Sequence, residues 1–229
     1  MISFFRKIRQ KLLEGNKTAN YLKYAAGEIF LVVIGILIAL QVNNWNEDRK
    51  ALRSEEQFLK NIKSELIRDK EYLRKIKDLA HHKIQLFEQL KTKLPDIYYT
   101  DKPLLDSLMR EYFINLETFF PLTGTFDAGV SGNEISSYRN EVLKTQVFNL
   151  YNASYGRLNR YRDIMIDRWD YFVRSYSYER FSGQLGQMDE KDLEKLQGDL
   201  AYITKMFELY LQRLTEADLE IQRILDEEN

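Results

Sequence analysis

The alternation of apolar and polar positions changes character along the chain, and the sharpest change comes first. From Ile29 to Leu40 no side chain is polar, and from Ile29 to Asn46 none is charged. As a helix, residues 24–42 would rise roughly 28 Å at about 1.5 Å per residue, close to the hydrocarbon thickness of a bilayer. The run predicts a transmembrane helix over 24–46. Beyond it the period becomes that of a packed helix: Leu52, Leu59, Leu66, Leu73, Ala80, Phe87 and Leu94 recur every seven residues, with no Gly or Pro before Pro95. Their companions alternate polar and apolar, as Glu55, Ile62, Asp69, Ile76, Lys83 and Leu90. Phe58, Ile67, Leu79, Ile84 and Leu86 widen the apolar face beyond a two-stranded coiled-coil seam. A bundle helix over about 47–94, continuous with the span and ended by Pro95, is expected.

Residues 95–136 hold all three prolines, Pro95, Pro103 and Pro121, together with Gly124, Gly129 and Gly132. Between these breaks a short helix over Leu104–Asn115 is expected, then one of about one and a half turns that Thr125 caps and Gly132 ends. A second long helix over about 137–180 carries a stripe stepping by four and three: Tyr151, Tyr155, Leu158, Arg162, Met165, Trp169, Phe172 and Tyr176. The stripe reads first as core, and second as an aromatic interface in which Tyr151, Tyr155, Arg162, Trp169 and Tyr176 offer hydroxyls, an indole N–H and a cation. Asp189 is placed to cap a last helix over 190–226. The fold class predicted is all-α, a single transmembrane helix continuing into an elongated up-down-up bundle. Residues 95–136 are expected to cap the end away from the bilayer, with loop 181–188 nearer to it.

Charge orients this arrangement. Residues 1–23 carry Arg6, Lys7, Arg9, Lys11, Lys17 and Lys23 against Glu14 alone, whereas residues 43–62 balance four basic side chains with four acids. Positively charged flanks stay inside, so the N-terminus is expected in the cytoplasm and residues 47–229 outside. Phe4, Phe5, Ile8 and Leu12 share one side of residues 3–14, an amphipathic pattern suited to lying in the lipid interface. No small-residue cleavage site follows the apolar run, so the segment is expected to remain as an anchor. Trp45 stands in an amide collar, Asn43 to Asn46, at the position of an interfacial aromatic. Inside the span, Glu28 lies about one turn from the cytoplasmic end. Gly35 and Ala39 form a small-xxx-small pair on the same face that would let a second copy approach closely. Residues 47–229 carry 28 basic against 33 acidic side chains, a poor match for nucleic acid, while the basic tail suits anionic lipid. The chain has no cysteine and hence neither disulfides nor thiolate chemistry.

Arrangements that could carry chemistry stop short of completion. Gly129-Val-Ser131-Gly132 lacks the second glycine and the preceding strand of a nucleophile elbow, and the glycines are not followed by the Gly-Lys-Ser/Thr of a phosphate loop. Asp163, Asp167 and Asp170 share a helical face and Asp78 precedes His81 by three, but the paired Glu-x-x-His of carboxylate-bridged bundles does not occur. His81 and His82 are adjacent, about 100° apart on a helix, and poorly placed to chelate one ion. No catalytic residue, metal ligand or cofactor is therefore expected, and the chain is read as not an enzyme.

The segment Tyr24-Ala-Ala-Gly-Glu-Ile-Phe-Leu-Val-Val-Ile-Gly-Ile-Leu-Ile-Ala-Leu-Gln-Val-Asn-Asn-Trp-Asn-Glu47, preceded by Phe4-Phe5-Arg-Lys-Ile-Arg-Gln-Lys11, resembles the opening of an uncharacterised family of membrane-anchored Bacteroidetes proteins, a domain-of-unknown-function group. Thr125-Phe-Asp-Ala-Gly-Val-Ser-Gly132 is similar to a second segment of that family, with Gly129 standing where a large apolar residue is expected. The resemblance implies a single-pass bacterial inner-membrane protein with a periplasmic domain, and it implies no activity. Two functional readings follow. One is a membrane-tethered helical module that binds membrane lipid and either a second copy or another envelope protein, acting in interaction or scaffolding. The other is a sensor-like domain whose helices enclose a small molecule and which signals through a partner.

Overall fold

The computed structural model describes residues 18–114, 116–176 and 188–227; among them there is helix, turn and extended connection but no strand. The expected amphipathic segment over 3–14 and most of loop 181–188 lie outside the described residues. Contacts divide the chain into two units, residues 1–54 and 55–229.

The described residues of the first unit belong to helix α1, Thr18–Thr100, an 83-residue helix whose later part belongs to the second. Apolar side chains of the first unit are exposed: Ile29, Phe30, Leu31, Ile38 and Leu40 each leave more than half their surface open. This stretch is long and apolar enough to cross a membrane. A Cβ on Gly35 would meet nothing within 4 Å among the described residues beyond the adjoining backbone of its own helix, and Ala39 is exposed. Trp45 is exposed too, with the Arg49 guanidinium 5.9 Å from its ring.

In the second unit α1 turns the expected face inward. Leu66, Leu73, Ala80, Phe87 and Leu94 are buried, and their companions Glu55, Ile62, Asp69, Ile76, Lys83 and Leu90 are buried as fully, charged members included. The helix does not stop at Pro95. A proline inside a helix costs about 3 kcal/mol, but Ile97 and Tyr98 in the following turn are buried in the core, and that packing carries the helix on to Thr100. Helix α2, Lys102–Phe113, starts two residues before the expected position because Asp101 accepts a hydrogen bond from the Leu104 N–H at 3.1 Å and Pro103 sits in the first turn, where no N–H is needed. Helix α3, Gly124–Ser131, ends at Gly132 as expected, but Thr125 does not cap it. Thr125 lies inside the helix, and both its N–H and its hydroxyl bind Glu65. After a 3₁₀ turn, Ile135–Ser137, come α4, Glu141–Phe148, capped by Asn140, a six-residue π turn, Asn149–Ser154, and α5, Tyr155–Ser175. Helix α6, Glu190–Asp226, is capped by Asp189, which accepts from the Asp192 N–H at 2.8 Å.

The course of the chain differs from the expected one. After α2 the segment 114–140 runs back along α1 towards Glu55. Thr118 meets Tyr72, Leu122 meets Asp69, Thr125 meets Glu65, and Arg139 and Asn140 meet Glu55. Helices α4 and α5 then run the same way as α1, with Tyr155 at Asp69 and Trp169 beside Lys83. Helix α6 returns, from Met188 at Tyr98 to Asp218 at Lys77 and Gln222 at Lys70. The returning leg between the first two long helices is thus made by α2 and an irregular segment, not by the helix expected over 137–180. Residues 114–136 line the Glu55 half of the unit and do not cap its Thr100 end. From Lys83 to Glu55 a helix rises about 42 Å, and the chain from Ile114 to Asn140, with α3 and the 3₁₀ turn within it, spans that rise.

Candidate functional site

An irregular segment laid on a helix leaves backbone groups that no ladder satisfies, and each left bare in a core costs on the order of 1–3 kcal/mol. In this chain three buried charges of α1, spaced fourteen residues apart, take up that role. Glu55 accepts the N–H groups of Arg139 and Asn140, both at 3.0 Å. Asp69 accepts the Leu122 N–H at 3.1 Å and the Tyr155 hydroxyl at 2.7 Å. Lys83 donates to the carbonyl oxygens of Glu111, at 3.3 Å, and of Tyr112 and Ile114. The signs follow the chemistry: carboxylates meet N–H groups, and the ammonium meets the carbonyls at the C-terminal end of α2, where the helix dipole also favours a cation. Between the charged rungs Glu65 holds Thr125, and Tyr210 accepts the Phe119 N–H at 2.9 Å. Lys83 lies within 5.6 Å of the Tyr112 ring and 5.1 Å of the Trp169 ring.

Asp69 is 1 % exposed, and burial pushes its carboxyl up to about 6 from the usual 3.8, with Glu65 adding to the rise, against the two hydrogen bonds that favour the charged form. Burial likewise raises the Tyr155 hydroxyl, reinforced by the Asp69 carboxylate, and takes Tyr210 to about 12. A raised carboxyl means that the folded chain holds a proton that the unfolded chain releases between pH 4 and 6. The stability from this group is therefore complete below pH 4 and lost as pH rises through 6, a change on the order of 2 kcal/mol. Urea midpoints of the wild type and Asp69→Asn at pH 4 and pH 7 are expected to show that slope in the first and its loss in the second. Equal slopes would separate Asp69 from the pH response.

The aromatic stripe of the π turn and α5 is core. Tyr151, Tyr155, Trp169 and Tyr176 are all buried, Tyr151 stacks on Phe126 at 4.4 Å, and Phe172 stacks on Phe113 at 4.7 Å. Arg162 does form a cation–π contact, but with Phe120 of the irregular segment at 4.3 Å, and not within its own stripe. Asp163 accepts from Arg162, His81 Nδ1 contacts the Lys77 carbonyl and His82 Nε2 contacts Glu111, so these side chains are not gathered at one point. Among the described residues no group of three or more His, Cys, Asp or Glu could hold a metal ion. Hollows beside Phe58 and Phe207 measure about 10 Å³ each, room for at most one water, and the groove of about 340 Å³ between Leu79, His82 and Arg110 is open to solvent.

The sequence reading saw Glu55, Asp69 and Lys83 only as polar interruptions of an apolar line and missed Glu65 altogether. Their signal was the interval: a charge at every second heptad of a line that is otherwise buried. A model of a family of unknown function, DUF6090, matches residues 28–212. The chain belongs to that family. The DUF6090 match takes in every rung from Glu55 to Lys83, the irregular segment they hold, and α6 as far as Gln212. No curated protein and no solved structure matches the chain.

Proposed function

We propose that this DUF6090 chain is a single-pass protein of the bacterial inner membrane, with its N-terminus in the cytoplasm and residues 47–229 in the periplasm, and that its helical unit acts by binding protein, in interaction or scaffolding. The observation that carries the reading is the division of labour along α1. Its apolar run from Ile29 to Val42 leaves most of its side chains exposed, and its buried charges from Glu55 onward are spent on the backbone of residues 111–140. Groups so engaged support a rigid surface better than a reaction. The small-molecule sensor reading draws no support from core hollows of about 10 Å³.

Alkaline phosphatase fused after Asn229 is expected to be active in cells, and a fluorescent cytoplasmic reporter at the same place dark. The reverse pair of results would overturn the topology. Amine-reactive crosslinking of intact cells is expected to move the chain into a defined larger adduct; a chain that stays monomeric would overturn the interaction reading.

A further inference from the structure

The outer face of α5 differs in chemistry from the rest of the unit. Arg157, Arg160, Tyr161, Ile164, Arg168 and Tyr171 fall within about 100° of arc on a 3.6-residue helix. Helix α6 extends this face: the Arg168 guanidinium lies 5.5 Å from the Tyr202 ring, and the Arg213 guanidinium 5.1 Å from the Tyr161 ring. Ile164, Tyr171 and Tyr202 are 40 %, 47 % and 48 % exposed. Arg160 and Tyr171 form no hydrogen bond or ion pair among the described residues. The three acids on the border are partly engaged, Glu216 with Arg213 at 2.6 Å, Glu220 with Ser154, and Asp167 at 4.0 Å from Arg168.

Two features mark this face. Its cations are all arginine, which with tyrosine dominates the strongest contacts of protein interfaces and keeps its charge while stacking on rings. Its sign also opposes that of its surroundings, since residues 47–229 carry 28 basic and 33 acidic side chains, yet Arg157, Arg160, Arg168 and Arg213 gather here. From Arg157 to Tyr171 the face runs about 21 Å, four turns of helix. We propose that the Arg157–Tyr171 face of α5, with Tyr202 and Arg213 of α6, docks an acidic protein segment. The segment's carboxylates meet the arginines and its apolar side chains meet Ile164, Tyr171 and Tyr202. This rests on the protein-binding reading above and gives it a place and a partner chemistry.

The test uses the full chain in its own membrane, with benzoylphenylalanine in place of Tyr171 or Tyr202, and, as controls elsewhere on the unit, of Ile67 or Leu219, which are 52 % and 57 % exposed. Ultraviolet adducts at 171 and 202 are expected to carry an acidic peptide of another protein, identified by mass spectrometry. They are expected to fall at least fivefold in Arg160→Glu/Arg168→Glu, and less in Arg160→Gln/Arg168→Gln, with the urea midpoint of both variants unchanged. Adducts only at 67 or 219 would overturn the face while leaving protein binding in place. Adducts to this chain's own peptides, to lipid, or to a neutral or basic peptide would overturn the partner chemistry. Absence of protein adducts at all four positions would overturn the protein-binding reading itself.

Discussion

Lys83→Met is expected to lower the unfolding free energy of the full chain in detergent by about 2–4 kcal/mol. Methionine keeps most of the length and apolar stem of lysine, so the void it leaves is small. What it removes is the ammonium of Lys83, a residue 3 % exposed, that ties together the carbonyls of Glu111, Tyr112 and Ile114. Those oxygens close α2 and open the irregular segment. Each orphaned carbonyl costs on the order of 1–3 kcal/mol, less where water reaches it. Against this stands the relief of no longer burying a charge, which offsets part of the loss and sets the lower bound. The Tyr112 and Trp169 rings, 5.6 and 5.1 Å from the ammonium, lose a cation–π partner as well. Urea unfolding followed by tryptophan emission reads the change, since Trp169 sits beside the substituted group. A loss below about 1 kcal/mol would mean that the three carbonyls are satisfied without Lys83, and that the rung is ornament to a core already closed by its aromatics.

Where the sequence was legible, a periodic apolar face was enough to place the core, and on α6 a matching cap also fixed the start. The face of α1 from Ile62 to Leu94 and the whole of α6 behind Asp189 are of this kind. The direction of α5 was not legible, because it depends on how far the chain travels between Phe113 and Glu141. Residues 114–123 carry no period; their course is set by single contacts, Thr118 to Tyr72 and Leu122 to Asp69, between residues 46 and 53 positions apart. A reading that counts only helices as travelling elements misses that leg and reverses everything after it. Thr125 misled for a related reason. Its type favours a cap, but the Glu65 carboxylate 2.7 Å from its hydroxyl offers a stronger acceptor than any local geometry. On α5 the buried stripe of Tyr155, Trp169 and Phe172 and the outward one of half-buried Tyr161 with exposed Ile164 and Tyr171 both have helical spacing. Only the packing of the neighbouring helices tells such stripes apart.

Gly129→Leu is expected to destabilise the chain by about 3 kcal/mol or more, and Gly129→Ala by about 1. Resemblance at the level of sequence placed a large apolar residue at this position; the structure leaves no room for one. A Cβ on Gly129 would stand 2.9 Å from Ile135 Cγ1 and 2.9 Å from Phe58 Cε2, closer than carbon atoms approach. Phe58 cannot withdraw freely, since its ring lies against Tyr138 with centroids 5.1 Å apart, and Ile135 is itself buried in the turn that follows α3. For alanine the overlap at Ile135 and Phe58 is about half an ångström against ordinary carbon contact, so one of the two side chains must shift. A helical glycine gains up to about 1 kcal/mol in propensity on becoming alanine, which offsets part of the strain. Leucine adds three further carbons to the same gap and must displace Phe58, Ile135 or α3 as a whole. Displacement of α3 would also pull Thr125 from Glu65. The decisive measurement is a double-mutant cycle on urea midpoints. If crowding is the cause, Ile135→Ala costs stability alone but restores part of it in the Gly129→Leu background, with a coupling of at least about 1 kcal/mol. Additive losses would show that Gly129 is required by the backbone of α3 and not by its neighbours, and a neutral Gly129→Leu would show that α3 does not pack on Phe58 at all.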